Sequence, residues 1–410
     1  MTQLFTRKTS FALVFGLFFI VSCSSLSKSE SPNHSSSNTG PLTEIETINK
    51  QIEENGSSES LLLRKAQLFI EAAQNETLPS SRKTLYTNAR NTSVDGAYQF
   101  SDKTAEFNQI LAEAWSFEHN TGVRLLHANS DDSGSQDSFE RAVSHLEYAI
   151  TLQPDSLQSY NILATAYYSN GLYTDADNVL IQILEINTDP EKRRSVKEKQ
   201  AFIYLESGNT NKAVSIYEDL FEENNSSITI THGLINAYIL DNQHVNAALL
   251  LQDLKEQYPD QFSYKESLAS VKYEQFRLAA DSLLTGSNSS VDLETKVEDL
   301  ISQLDLIKNI YEDLSENSLL GEERIHTVAG FHTNGASYLE DIREKVGPNT
   351  SAFEKLTESK NELLNLSLKY WEQLADINPD NVEYLYTLYT VYNKLEMFEK
   401  AENIEQSFNF

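Results

Sequence analysis

The side chains that could do chemistry are scattered, and no motif groups them. Of the eight histidines, His326 and His332 are six residues apart, which places them on different helix faces rather than in the i, i+4 pair of a zinc site. The sequence contains no GxGxxG, GxxxxGK(S/T), HExxH or GxSxG motif. The 61 carboxylates are spread along the chain, so none stands out as a paired acid. We therefore expect no enzymatic activity, no catalytic residue, no metal site and no cofactor.

The one cysteine is the remaining reactive side chain. Cys23 follows the basic residues Arg7 and Lys8 and the apolar run 11–21, which is too short to span a bilayer as a stable helix. This order is typical of a signal peptide. A single thiol excludes an internal disulfide framework and a cysteine-based zinc cluster.

The segment 20–23, Ile-Val-Ser-Cys, resembles the lipid-attachment box of bacterial lipoproteins. The resemblance implies that Cys23 becomes the first mature residue and carries acyl chains, and several such chains hold a protein stably on a membrane. Because Ser24 rather than aspartate follows, the resemblance also implies the outer membrane, with the protein facing the periplasm or the cell surface. The alternative is an ordinary signal peptide followed by an incidental cysteine.

Two glycines interrupt an otherwise helical pattern near the end of the chain. Gly330 and Gly335 each cost about 1 kcal/mol of helix stability relative to alanine. One interpretation is that a ligand or partner approaches the backbone there. The other is close helix packing, or a loop between two helices.

The elements that must position these residues are paired helices. In 157–190, Leu163, Ala166 and Tyr167 recur at i, i+3 and i+4, and a second amphipathic segment follows Gly171. The pattern repeats along the chain, with a small residue where two helices would touch closely. The residues at this position are Ala142, Ala176, Ala213 and Ala247, at intervals of 34, 37 and 34 residues.

This pattern resembles the tetratricopeptide repeat (TPR), a helix-turn-helix unit of about 34 residues. The resemblance covers 138–261 and 382–410, and it implies an all-α fold: a right-handed α-solenoid of TPR hairpins with additional longer helices. It also implies protein partners, held along a groove lined by the outward positions of each first helix. Here those positions are Asn161, Thr165, Tyr168, Glu198, Phe202, Leu205, His232, Asn236 and Ile239. The alternative for each of these residues is ordinary surface.

The groove positions also indicate what kind of partner to expect. They mix aromatic, amide and aliphatic groups, which suits an extended peptide or a partner helix. They lack the Lys/Asn/Arg pattern with which chaperone-binding TPR domains hold a C-terminal carboxylate.

Composition shifts divide the chain into six predicted segments. They are a signal peptide (1–22), a flexible serine-rich tether (23–41), a helical region with a degenerate repeat (42–137), a TPR array (138–261), a long-helix region (262–380) and a C-terminal TPR-like unit (381–410). We further expect a helix to begin at Pro79, a break at Gly96 and a loop over 127–138. The long helices are predicted at 262–284, 291–314 and 351–377.

The charge excludes one class of partner and leaves two functions open. A formal net charge of −29 repels phosphate backbones, so we expect no nucleic acid. The first hypothesis is a lipid-anchored scaffold or adaptor for other envelope proteins. The second is a helical lipoprotein that captures a glycan or peptide for an outer-membrane transporter. Trp115 and Trp371 fit buried helix positions, and because glycan sites stack sugars on clustered aromatic rings, the first hypothesis is favoured.

Cys23→Ala tests the membrane anchor. The variant should remain an unprocessed precursor or be released in soluble form, because it has no thiol to acylate. Fractionation of cells with radiolabelled palmitate as tracer measures both effects. Membrane retention of a variant that is cleaved to mature size would refute acylation, as would a wild-type protein that takes up no label, and Ser22→Ala is a control that keeps the thiol.

Overall fold

The structure, a computed structural model, describes residues 40–128, 135–224, 227–286, 290–316, 321–348 and 350–408. These residues form α-helices and one short 3-10 helix, with no strand among them, as the sequence predicts. The helices are α1 (Pro41–Asn55), α2 (Glu59–Asn75), α3 (Pro79–Gln99), α4 (Thr104–Ala128), α5 (Ser135–Leu152), α6 (Leu157–Ser169), α7 (Tyr173–Ile186), α8 (Pro190–Glu206), α9 (Thr210–Glu223), α10 (Ile228–Leu240), α11 (His244–Gln257), α12 (Phe262–Thr285), α13 (Ser290–Glu316), α14 (Glu322–Val346), α15 (Ser351–Ile377), α16 (Val382–Lys394) and α17 (Phe398–Phe408).

The chain divides into two compact units, Met1–Ile110 and Leu111–Phe410, with the boundary inside α4. In the first unit, α1 packs on α2 and α2 packs on α3. The Arg64 guanidinium donates to both carboxylate oxygens of Glu44, at 2.9 and 3.1 Å, and so joins α1 to α2. We expect the Arg64–Glu44 ion pair to add little to the folding stability, since ion pairs at half-exposed positions contribute little.

Helices of the second unit pair across short turns. In three consecutive hairpins (α6–α7, α8–α9 and α10–α11) three residues separate the helices, and the middle one has a positive φ. That residue is Gly171, Gly208 or Asn242, with φ of 71°, 76° and 59°. Gly and Asn adopt this left-handed conformation at little cost, so the turn residues themselves reverse the chain. The last hairpin, α16–α17, has the same turn with Glu396 at φ 60°.

The left-handed residue sets the register of the helix contact that follows it. Five residues after each of the four turns comes an alanine: Ala176, Ala213, Ala247 and Ala401. The first three are fully buried, and Ala401 is 2% exposed. The sequence prediction that small residues occupy the closest helix contacts is therefore confirmed.

A tyrosine at the end of the first helix joins successive pairs of helices. The hydroxyl of Tyr204 donates to Asp177 at 2.6 Å, and that of Tyr238 donates to Glu218 at 2.8 Å. Burial, together with these hydrogen bonds to carboxylates, raises the pKa of each of the two hydroxyls to about 12. Both tyrosines therefore stay protonated as hydrogen-bond donors throughout the physiological pH range.

The long helices α12, α13 and α15 lie where the sequence predicts them, to within a few residues. They depart from the pairwise pattern, because α12 also packs on α14 and α13 on α15. The Lys345 ammonium donates to the carbonyls of Leu283, Leu284 and Gly286 at 2.7–2.8 Å, where α12 ends. A cation at a helix C-terminus is favourable, since it meets the free carbonyls and the negative end of the helix dipole.

Two predictions made from local composition are wrong. Gly96 does not end a helix; it lies inside α3, where a Cβ would come within 2.3 Å of the Phe107 ring, so a glycine there permits close packing. The predicted loop over 127–138 is wrong at both ends, since α4 continues to Ala128 and α5 begins at Ser135, while 129–134 lie outside the described residues. Serine and aspartate favour the first turn of a helix as well as loops, and Asp137 lies in the first turn of α5.

The expectation that a helix begins at Pro79 is confirmed.

The glycines near the end of the chain lie inside one continuous helix, α14. A Cβ on Gly335 would lie 3.3 Å from Leu363 and 3.4 Å from Leu304, which is a tight helix contact. At Gly330 a Cβ would meet nothing within 4 Å. Close packing explains Gly335, whereas nothing in the structure explains Gly330.

A buried histidine faces the same packed region. His332 is completely buried and shares a 2.8 Å hydrogen bond with the Val328 carbonyl through Nδ1, while its Nε2 has no hydrogen-bond partner. The ring stacks on Tyr370 with centroids 5.7 Å apart. Burial lowers its pKa to about 4, so the imidazole is neutral in the folded protein at neutral pH.

Ala213→Leu should destabilise the second unit. The larger side chain must fit into a fully buried helix contact, which costs about 1–3 kcal/mol of unfolding free energy. Chemical denaturation measures the change. Ser215→Leu, an exposed position two residues later in α9, is the matched control and should change stability by less than about 0.5 kcal/mol. Equal stability of the two variants would contradict the assigned helix contact.

His332→Leu should weaken the acid dependence of stability. Between pH 6.5 and 4 the unfolded chain protonates this histidine and the folded protein does not, so the unfolding free energy falls as pH decreases, by about 3 kcal/mol from this group. The leucine variant lacks this contribution. Denaturation curves at pH 7 and pH 4 should therefore show a smaller loss for the variant, and identical losses would contradict the burial of a neutral imidazole.

Candidate functional site

The nine groove positions predicted from the sequence lie at equivalent places on α6, α8 and α10. Asn161, Glu198 and His232 each precede the left-handed turn residue by ten positions (171 − 161, 208 − 198 and 242 − 232). The second and third members of each set precede it by six and three positions. All nine are at least partly exposed. The structure thus places them in one register.

Direct contacts join the groove positions of α6 to those of α8. The rings of Tyr168 and Phe202 lie 5.7 Å apart between centroids, tilted by 50°. The Lys199 ammonium donates to Oδ1 of Asn161 at 3.0 Å. The side chains predicted on the two helices therefore form one continuous surface.

The surface continues from α8 to α10, which pack together, and from α10 to α12. His232 shares a 2.9 Å hydrogen bond with the Tyr264 hydroxyl of α12, and their rings lie 5.6 Å apart. Tyr258, which is 44% exposed, lies 5.9 Å from the Tyr264 ring. We call the surface formed by the first helices α6, α8, α10 and the start of α12 the groove surface.

Partial burial pushes the ionisable groups of the groove surface towards their neutral forms. It raises the pKa of Glu198, against the opposing charge of Arg194, and it lowers the pKa of Lys199 and of His232. Desolvation disfavours the charged form in each case. A partner that buries apolar and amide groups there would disfavour the charged forms further.

Several groove-surface residues could not be found from the sequence alone. Lys199, Tyr173, Tyr258 and Tyr264 lie beside the predicted positions, but Lys199 meets Asn161 across 38 positions of sequence. Tyr173 lies 6.0 Å from Tyr168 because the intervening turn folds back at once. For the three tyrosines, the only indication in the sequence was the high frequency of aromatic residues at the ends of the repeat helices.

The predicted lipid-attachment residue lies outside the described residues, and so do the signal peptide and most of the tether. In the described part of the chain, no helix is both long enough and apolar enough to cross a bilayer. The same part contains no cluster of three or more His, Cys, Asp or Glu side chains with the geometry to hold a metal ion. The sequence-based expectations of an acylated Cys23, of no cofactor and of no enzymatic activity stay predictions.

Comparisons with known proteins give helical-repeat neighbours and no family assignment. No family model matches the chain, and a search of curated proteins finds no match. A tetratricopeptide repeat protein from Parabacteroides merdae is 11% identical and covers 78% of this chain and 98% of its own, with a TM-score of 0.30. PilF of Pseudomonas aeruginosa is 12% identical over 68% of this chain and 97% of its own, with a TM-score of 0.34. MamA of Desulfovibrio magneticus is 14% identical over 50% and 97%, with a TM-score of 0.32.

The geometry of the chain itself identifies the fold. In each hairpin, a first helix of 13 to 17 residues is followed by a three-residue left-handed turn and then by a second helix of 14 residues. Alanine occupies the helix contact of each hairpin. On this geometry, the chain is an all-α helical-repeat protein of the tetratricopeptide type.

Proposed function

We propose that this protein is a lipid-anchored scaffold of a bacterial cell envelope that holds protein partners along its groove surface. The observation that carries the proposal is the continuity of that surface. Side chains of α6 and α8 meet through the Tyr168–Phe202 and Lys199–Asn161 contacts, those of α10 and α12 meet through His232–Tyr264, and α8 packs on α10 between them. They lie far apart in sequence and are partly exposed, so a partner laid across the helices would contact all of them at once.

The chemistry of the surface favours a peptide or helix as the partner. Asn236 offers an amide group for main-chain hydrogen bonds, while Phe202 and Ile239 offer apolar contact. Such a mixture suits an extended segment, whose backbone polar groups need partners when they are covered. Phe202 is 41% exposed, a large fraction for a phenylalanine, and covering it would remove apolar area from water.

The membrane location is supported by the sequence alone. The run of basic, apolar and cysteine-containing segments at 1–23 resembles a lipoprotein signal, and 23–41 has the composition of a flexible tether. A tether of some 18 residues reaches roughly 20–25 Å, so the folded body would work close to the membrane. We place the protein on the outer membrane, facing the periplasm or the cell surface.

Capture of a glycan or peptide for an outer-membrane transporter is the second candidate. One observation favours it: the partly exposed ring of Tyr168 lies beside the exposed ring of Phe202, and aromatic rings presented to solvent can stack on sugars. Trp371, however, is 3% exposed, and Trp115 stacks on His119, so neither tryptophan is presented for stacking on a ligand. Binding of soluble oligosaccharides measured by calorimetry would favour this candidate over the scaffold.

Phe202→Ala should reduce the capture of envelope partners while leaving the fold intact. The change removes exposed apolar area from the groove surface and little from the core, so the melting temperature should shift by no more than a few degrees. Crosslinking and mass spectrometry on native membranes would identify the partners of the wild-type protein and their yield with the variant.

The matched control is Phe398→Ala, which removes a 64% exposed phenylalanine outside the groove surface. Phe398→Ala should capture partners as the wild-type protein does. Wild-type yield with Phe202→Ala, or equal loss with both variants, would remove the assignment of the groove surface.

A further inference from the structure

Three aromatic rings meet at one end of the groove surface. Tyr168 lies between Phe202 and Tyr173, with ring centroids 5.7 and 6.0 Å away and tilts of 50° and 53°. Neither pair is a close parallel stack, so the rings do not cover one another's faces. Tyr168 and Tyr173 are partly exposed, and Phe202 is 41% exposed. The cluster thus presents π faces to a partner, and a π face attracts cations.

A carboxylate without an ion-pair partner lies beside these rings. Glu206 follows Phe202 by one helical turn on α8, so the two side chains lie on the same face of that helix. Burial, and to a smaller extent the negative charge of Glu206, raises the pKa of Tyr168. Glu206 is exposed and forms no ion pair with any residue in the described ranges.

Cations of α8 and of the start of α9 are engaged with other residues. Arg194 pairs with Glu191 at 2.9 Å, Lys197 with Glu223 at 3.1 Å, and Lys199 with Asn161 at 3.0 Å. Lys212 lies 4.9 Å above the ring of Tyr204. The rings and Glu206 together therefore offer negative charge and π faces that no described cation of the chain takes up.

We propose that Tyr168, Phe202, Tyr173 and Glu206 form a site for an arginine side chain of the protein partner, a proposal that rests on the groove surface being the binding surface. The planar guanidinium is the group that fits best. It stacks on an aromatic face and at the same time donates paired hydrogen bonds to a carboxylate, whereas an ammonium is compact and more strongly hydrated. The net charge of −29 steers a basic segment towards the protein, and the site fixes where one arginine is held.

The test uses two labelled eight-residue peptides, one with arginine and one with citrulline at alternating positions between serines. Citrulline keeps the planar shape and removes the charge. Fluorescence anisotropy with the full chain should show that Phe202→Leu and Glu206→Gln weaken binding of the arginine peptide by about threefold to thirtyfold, and that neither changes binding of the citrulline peptide.

Two controls separate the site from the general acidic field. Glu185→Gln removes the same charge at an exposed position of α7, and Phe398→Leu removes an exposed ring from α17. Both should bind the arginine peptide within about twofold of wild type. Equal weakening by Glu206→Gln and Glu185→Gln, or unchanged binding by Phe202→Leu, would overturn the site. Tighter binding of a peptide with trimethyllysine in place of arginine would overturn the choice of guanidinium.

A groove variant distant in sequence from the rings distinguishes failure of the site from failure of the proposed function. Asn236→Arg on α10 should block partner capture from native membranes. If Asn236→Arg blocks capture and the peptide test shows no arginine preference, the groove surface stands and the arginine site falls. If neither Asn236→Arg nor Phe202→Ala affects capture, the proposed function itself falls.

Discussion

A left-handed residue in a three-residue turn is the constraint on which the repeat array depends. Gly171, Gly208 and Asn242 reverse the chain so tightly that the two flanking helices must pack against each other. The fixed distance from the turn to the next alanine then sets how closely they approach. The same turn fixes the outward positions of the first helix, because these also lie at constant distances from it. Glu396 adopts this conformation without being glycine or asparagine, at a cost of roughly 1–2 kcal/mol that the surrounding helix packing must offset.

Most of this constraint could be read from the sequence, because it is local. A glycine between two amphipathic segments, followed five residues later by an alanine, specifies a hairpin, and its recurrence specifies an array. The nine groove positions were predicted from the resemblance to the tetratricopeptide repeat, and they keep this register. The long helices could be located for the same reason, since their apolar periodicity runs unbroken from Phe262 to Thr285 and from Ser351 to Ile377.

Contacts between residues distant in the chain could not be predicted. From the sequence, Gly96 suggests a break in a helix. In the structure the Phe107 ring packs against it, so the glycine permits close packing inside the helix. The ring cluster is a similar case. Phe202 is a predicted groove residue, but its approach to Tyr168 and the nearness of Glu206 depend on how one hairpin lies on the next. The sequence does not show that Glu198 and Lys199 are partly buried. The raised pKa of Glu198 and the lowered pKa of Lys199 are therefore evident only in the folded protein.

Two regions of the second unit, α5–α11 and α12–α15, pack differently and should therefore tolerate different insertions and deletions during evolution. From α5 to α11 each helix packs on its neighbours in sequence, and the first helices of successive hairpins also touch, α6 with α8 and α8 with α10. Duplicating or deleting one whole hairpin would therefore leave each remaining interface with a similar partner. From α12 to α15 that freedom is lost, because α14 packs on α12, α13 and α15 together, so no pair of these helices can be removed without uncovering another. Homologous chains should therefore vary in the number of hairpins before Pro259, while the four long helices are gained or lost only as a block.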